Sequence, residues 1–141
     1  MNQSKVRSFN VMLLAALMCF VFLSGCTGQK LSTDFDEASV RAAVENVINL
    51  INDQKTDELL SLCTVQMRTA LTDEVMKQIY EAIGEGGAFS EIKDMRISGS
   101  TDRASGEEYA VAVVLAQYEI KKFTFTISFT KQMKLAGLYY K

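Results

Sequence analysis

The sequence predicts an α+β domain in which N-terminal helices pack on one face of an antiparallel sheet of about four strands. Three observations predict it. Apolar residues recur at three- and four-residue steps as far as Ile83, three glycines then interrupt the pattern within Gly84-Glu85-Gly86-Gly87, and beyond them the period falls to two. Helices followed by consecutive strands give a helical layer on a meander.

The chain has 141 residues, room for one domain, and its first segment does not read as part of that domain. Asn2 to Asn10 is polar and carries Lys5 and Arg7 without an acid, and Val11 to Leu23 is an unbroken apolar run. This is the pattern of a signal peptide, and the run is shorter than the about 20 apolar residues that cross a bilayer. The expected division is a signal peptide over 1–25, a lipidated tether over 26–33 and a folded domain over 34–141. Removing Lys5 and Arg7 with the signal leaves 13 basic against 17 acidic side chains, a formal charge of −4. Nucleic acid is therefore not an expected partner, because no basic stripe is present to displace counterions. Cys19 leaves with the signal, so the domain keeps Cys63 alone, has no internal disulfide, and must be held by its core.

Within the domain, Val40, Val44, Val47, Ile48 and Ile51 form the apolar stripe of a first helix, with Asp34, Asp36 and Glu37 at its start. Thr56, with Asp57 and Glu58 behind it, reads as the cap of a second helix that buries Leu59, Leu60 and Cys63 and continues, with a break, through Met67 and Leu71. Thr72-Asp73-Glu74 opens a third, which presents Val75, Met76, Ile79, Tyr80 and Ile83 and stops at Gly84. Glu91 to Ser98 is the first expected strand and Gly99 to Glu108 a polar loop. Tyr109 to Tyr118, apolar on both faces, is a central strand. Phe123, Phe125, Ile127 and Phe129 alternate with Thr124, Thr126, Ser128 and Thr130, giving an aromatic face and a hydroxyl face. Lys134 to Tyr140 is the last strand, with a bulge expected at Gly137. The turn before it, Lys131-Gln132-Met133, lacks the glycine such a turn favours.

Two stretches resemble known families. Leu23-Ser24-Gly25-Cys26, behind an apolar run, resembles the lipobox of bacterial lipoproteins. The resemblance implies cleavage before Cys26, a diacylglyceryl group on that cysteine as the only added group, and an extracytoplasmic domain anchored to the cell membrane. A tether of seven residues, Thr27 to Thr33, would reach at most about 25 Å. Gly87-Ala88-Phe89-Ser90-Glu91-Ile92, the strand pair around Val111 to Phe129 and the ending Lys134-Leu135-Ala136-Gly137-Leu138 resemble the bacterial domain-of-unknown-function family 3887. That resemblance implies a cystatin-like, nuclear-transport-factor-like fold with a curved sheet, and it brings no catalytic residues.

The absence of histidine removes Ser-His and Cys-His catalysis and the usual zinc sites, so no catalytic or metal residue is assigned. Gly84 to Gly87 is read as a helix stop rather than a phosphate cradle, since a P-loop runs strand, glycines, helix. Pockets in such folds open between sheet and helices, and Tyr80, Tyr109, Tyr118, Phe125 and Tyr139 are the candidate lining residues. Asp94 and Glu119 are the acids that an isomerase or dehydratase would place there. The leading expectation is a binding or accessory domain without catalysis, for a small apolar ligand, a peptide or an envelope protein. Its rivals are that small enzyme and an oligomerisation module that pairs as a homodimer through the hydroxyl face.

Overall fold

A computed structural model describes residues Gln29–Lys141; the expected signal peptide and the lipobox with its lipidated Cys26 lie outside these residues. Four helices, α1 (Glu37–Asn52), α2 (Thr56–Leu62), α3 (Val65–Ala70) and α4 (Asp73–Gly84), precede four strands, β1 (Phe89–Thr101), β2 (Glu108–Tyr118), β3 (Lys122–Phe129) and β4 (Leu135–Tyr140).

Each helix starts where a side chain or tight turn satisfies free amide groups. The carboxylate of Asp36 accepts from the Ser39 amide at 2.9 Å and from its hydroxyl at 2.6 Å, and these bonds hold its pKa below the usual carboxylate value. Thr64 and Thr72 cap α3 and α4 in the same way. Thr56 differs from its expected role. It is the first residue of α2, the cap position is Lys55, and no side chain caps that helix. The Thr56 hydroxyl is instead bonded to Tyr80. Gly84 ends α4 as expected, although the left-handed residue is Gly87, with φ of 77°.

The strands form one antiparallel meander in the order β1-β2-β3-β4. The expected helical layer on one face of four antiparallel strands is present, but the curved, cystatin-like description is corrected: the sheet is open, neither curled nor closed. The register shows why. β2 and β3 pair without a break from Ala110↔Phe129 to Gln117↔Lys122, while the shifts lie towards the strand ends, at Phe89/Glu91 and Ile92/Asp94 in β1 and at Ser128/Phe129 opposite β4. Bulges bend a sheet where they interrupt it, and none interrupts the central pair. The predicted irregularity in the last strand is at this third shift, beside Gly137, where a Cβ would collide with Ser128 Oγ. Met133, at the turn without a glycine, adopts the left-handed conformation itself, with φ of 57°. β1 also runs further than expected, to Thr101, which shortens the hairpin loop to Asp102–Glu107.

The core lies between sheet and helices. Ala110, Ala112, Val114, Ala116 and Tyr118 of β2 and Phe123, Phe125, Ile127 and Phe129 of β3 meet Val40, Val44, Val47, Ile48 and Ile51 of α1 with Met76, Ile79 and Ile83 of α4. The expected tether is docked from Gln29 onward: Gln29 bridges to Gly99, and Phe35 is buried. Glycine at 99 permits that approach, since a Cβ there would meet the Lys30 carbonyl oxygen at 2.5 Å.

The two faces of β3 give a stability test. Phe125 is fully buried, and Phe125→Ala should cost about 3–5 kcal/mol in chemical denaturation. Thr126→Ala, on the open face, should cost no more than about 1 kcal/mol. Equal small losses at both positions would contradict the one-sided core.

Candidate functional site

Where α1 ends over the last residue of β2, the core gives way to polar groups. The chain reverses after Asn52 through Asp53 and Gln54, the latter left-handed with φ of 54°, and the Lys55 amide donates back to the Leu50 carbonyl at 2.9 Å. This reversal places Thr56 beside Tyr80 of α4, with 2.8 Å between their hydroxyl oxygens. Under it lies Tyr118, 1% exposed, its ring edge-on to Phe89 and Phe123 and its hydroxyl donating to Asn52 Oδ1 at 2.6 Å. Gly86 allows the loop to approach, since a Cβ there would sit 2.7 Å from the Phe123 ring.

Between these groups is a cavity of about 70 Å³, with Asn52, Gln54, Tyr80, Gly84 and Gly87 in its wall. It is larger than the about 10–15 Å³ that one water needs. Gln54, Tyr80 and Gly84 also border an open groove of about 510 Å³ running along α4 past Met76 and Lys77. Asn52 Nδ2 is the one buried side-chain polar atom among the described residues without a hydrogen-bond partner. Turning the amide over would satisfy Nδ2 at the Tyr118 hydroxyl and leave the oxygen free, so either orientation leaves one polar atom unpaired. Leaving such an atom unmet costs about 1–3 kcal/mol.

Of the five predicted lining residues, Tyr80 borders cavity and groove, and Tyr118, in neither wall, reaches the site through its bond to Asn52. The other three do not reach it. Tyr109 lies on the opposite face of the sheet, where its hydroxyl donates to Glu107 at 2.7 Å and its ring borders a polar cleft of about 500 Å³ with Ser100, Ser128 and Thr130. Tyr109 and Tyr118 are an odd number of positions apart on an unbulged strand, and period-two alternation sends them to opposite faces. Phe125 is buried in the middle of the core and borders neither space. Tyr139 pairs with Thr126 on the open face and is 61% exposed; its neighbour Tyr140 turns inward, with ring centroids 6.4 Å from Phe125. Asn52 was missed, although its position was legible: it follows Ile48 by four residues and so continues the apolar stripe with an amide.

The acids considered for proton transfer are elsewhere. Asp94 is exposed and paired with Arg96 at 3.0 Å, and Glu119 is exposed and accepts from the Ala88 amide at 3.1 Å. Among the described residues no carboxylate is buried, and no group of three His, Cys, Asp or Glu side chains is placed to hold a metal. Cys63 is buried with its thiol donating to the Leu59 carbonyl at 3.4 Å, and burial pushes its pKa up, away from the reactive thiolate.

The comparisons with known proteins agree on fold and are silent on activity. The family model described as "Protein of unknown function (DUF3887)" matches residues 44–138. The NMR structure of a protein from Ruminococcus gnavus ATCC 29149 is similar, with a TM-score of 0.70 at 18% identity over 79% of this chain and 96% of that one. At that identity the likeness shows the fold alone. No curated protein matches the chain.

Burial pushes the Tyr118 phenol up to about 12, with the bond to Asn52 offsetting part of the effect. The unfolded chain therefore loses this proton first, near pH 10, while the folded chain keeps it. Stability contributed by Tyr118 is complete below pH 10 and falls as pH rises towards 12. Denaturation midpoints across this window should show the fall in the wild type and a shallower one in Tyr118→Phe. Identical slopes would mean that the phenol is not buried.

Proposed function

The chain belongs to the DUF3887 family of proteins of unknown function, and we propose that it is a lipid-anchored extracytoplasmic binding domain that takes a small ligand or a peptide side chain into the Asn52 crevice without transforming it. The observation that carries the reading is the cavity walled by Asn52, Gln54, Tyr80, Gly84 and Gly87, which shares Gln54, Tyr80 and Gly84 with a larger open groove. A small apolar body against Met76 and Tyr80, with one polar group reaching Asn52, matches that lining. The acids that an isomerase or dehydratase would use lie at the surface, which favours binding over turnover. The lipid anchor is supported by the lipobox behind the apolar run, with the diacylglyceryl group of Cys26 as the attachment to the membrane.

A second reading has its own observation. The face of the sheet away from the helices carries a row across all four strands, Arg96, Val113, Thr126 and Tyr139, and Val113 and Tyr139 are exposed. A homodimer formed through this face would cover both.

Gly84 supplies the test. It borders both cavity and groove, and a Cβ there meets nothing within 4 Å. Gly84→Leu should therefore add bulk where groove and crevice share a wall without disturbing the fold. Native mass spectrometry of the protein purified from its own host should find a bound small molecule or peptide in the wild type and none in Gly84→Leu. Equal retention in both would exclude the crevice. A concentration-dependent midpoint abolished by Tyr139→Lys would favour the dimer. Acyl labelling tests the anchor separately: Cys26→Ala should lose the label and accumulate as uncleaved precursor, and a labelled, cleaved Cys26→Ala would refute lipidation.

A further inference from the structure

We propose that the domain stands on the membrane by the pole that holds the β1–β2 hairpin, with the Asn52 crevice at the opposite pole, so that its ligand is taken from the aqueous envelope and not from the bilayer. The inference rests on the lipid-anchor reading and adds an orientation to it.

The strap from Gln29 to Phe35 fixes where the anchor enters the domain. The Gln29 carbonyl accepts from the Gly99 amide at 2.6 Å, and its side-chain oxygen accepts from the Thr101 hydroxyl at 3.0 Å. Ser32 donates to Glu108 at 3.3 Å. Lys131 then ties the strap to the sheet, with Asp34 and Glu108 each 2.7 Å from its ammonium, and these two bonds raise its pKa. Only Thr27 and Gly28 separate Gln29 from Cys26. Three Cα steps reach at most about 11 Å, little more than the about 5–8 Å of headgroup on one side of a bilayer. The leash expected from sequence was more than twice as long.

The crevice is at the far end of every element that touches the strap. β2 begins at Glu108, beside Ser32, and ends at Tyr118, beneath Asn52; at about 3.3 Å per residue its 11 residues span about 33 Å between first and last Cα. α1 begins two residues after Phe35 and ends at Asn52. The near pole carries both signs of charge, with Lys30, Arg103 and Lys131 against Asp34, Asp102 and Glu107, so surface potential adds little to orientation and the short leash sets it.

The full chain, isolated with its lipid and reconstituted in phosphatidylcholine vesicles containing a headgroup spin-labelled lipid, provides the test. A fluorophore is attached at Ser105→Cys, in the near hairpin, or at Glu85→Cys, beside the crevice; Cys63 is buried and does not label. Flotation and intact mass first establish that the protein is acylated and vesicle-bound. Quenching several-fold stronger at position 105 than at position 85 is the expected result. Equal or reversed quenching in a floating, acylated protein overturns the orientation and leaves the anchor intact, whereas a protein that neither floats nor carries acyl mass overturns both. Gly99→Val pushes a side chain into the Lys30 backbone and frees the strap as far as Phe35. Flotation should persist while quenching at position 105 weakens, and unchanged quenching there would mean that the strap does not set the orientation.

Discussion

Small residues on β2 matched to large ones on β3 set how helices and sheet come together. Ala110, Ala112 and Ala116 lie fully buried beneath the helices, and Phe123, Phe125 and Phe129 fill the neighbouring strand. Alanines let the valine and isoleucine stripe of α1 come close to the sheet, and phenylalanines fill the volume to its side at native density. The unbroken register of these two strands keeps the stripes in step. A slip of one residue would turn the phenylalanines to solvent and the threonines into the core.

The crevice follows from where this arrangement ends. After Ala116 the inward row of β2 reaches Tyr118, whose ring occupies the space between Phe89 and Phe123 and whose hydroxyl extends to the last residue of α1. A hydroxyl carried into a core requires a partner, and Asn52 provides it while bringing one more polar atom than Tyr118 can satisfy. The unpaired atom is thus a consequence of how the core is closed, and Gly84, the last residue of α4, leaves open space beside the cavity. The proposed binding site and the packing draw on the same few residues here.

The change of period, the threonine caps at Thr72 and the aromatic alternation of β3 were legible because each is local and each has a mechanism of its own. That the sheet is neither curled nor closed was not legible, because curvature depends on where bulges fall relative to the central pair, and that is a property of pairing between distant segments. The docked strap escaped for a similar reason. Gln29 to Thr33 has the polar composition of a linker, and only the absence of a Cβ at Gly99, some 70 positions away, makes room for it. Of the site, Tyr80 and Tyr118 were among the five residues expected to line a pocket between sheet and helices. Asn52 was passed over because a single amide on an apolar stripe looks like a helix end, which it also is.

We propose that the crevice beside Asn52 is where this domain meets its ligand. A small-fragment screen of the uniformly labelled protein, read by proton–nitrogen NMR, addresses it directly, since the Asn52 side-chain amide and the backbone amides of Gly84 and Gly87 report on the cavity wall. Fragments that combine an apolar ring with a single carbonyl or hydroxyl should shift these three signals together and leave Tyr109 and Ser128, on the opposite face of the sheet, unmoved. Shifts clustered at Tyr109 and Ser128, with Asn52 unchanged, would move the binding site to the opposite face of the sheet and exclude the crevice.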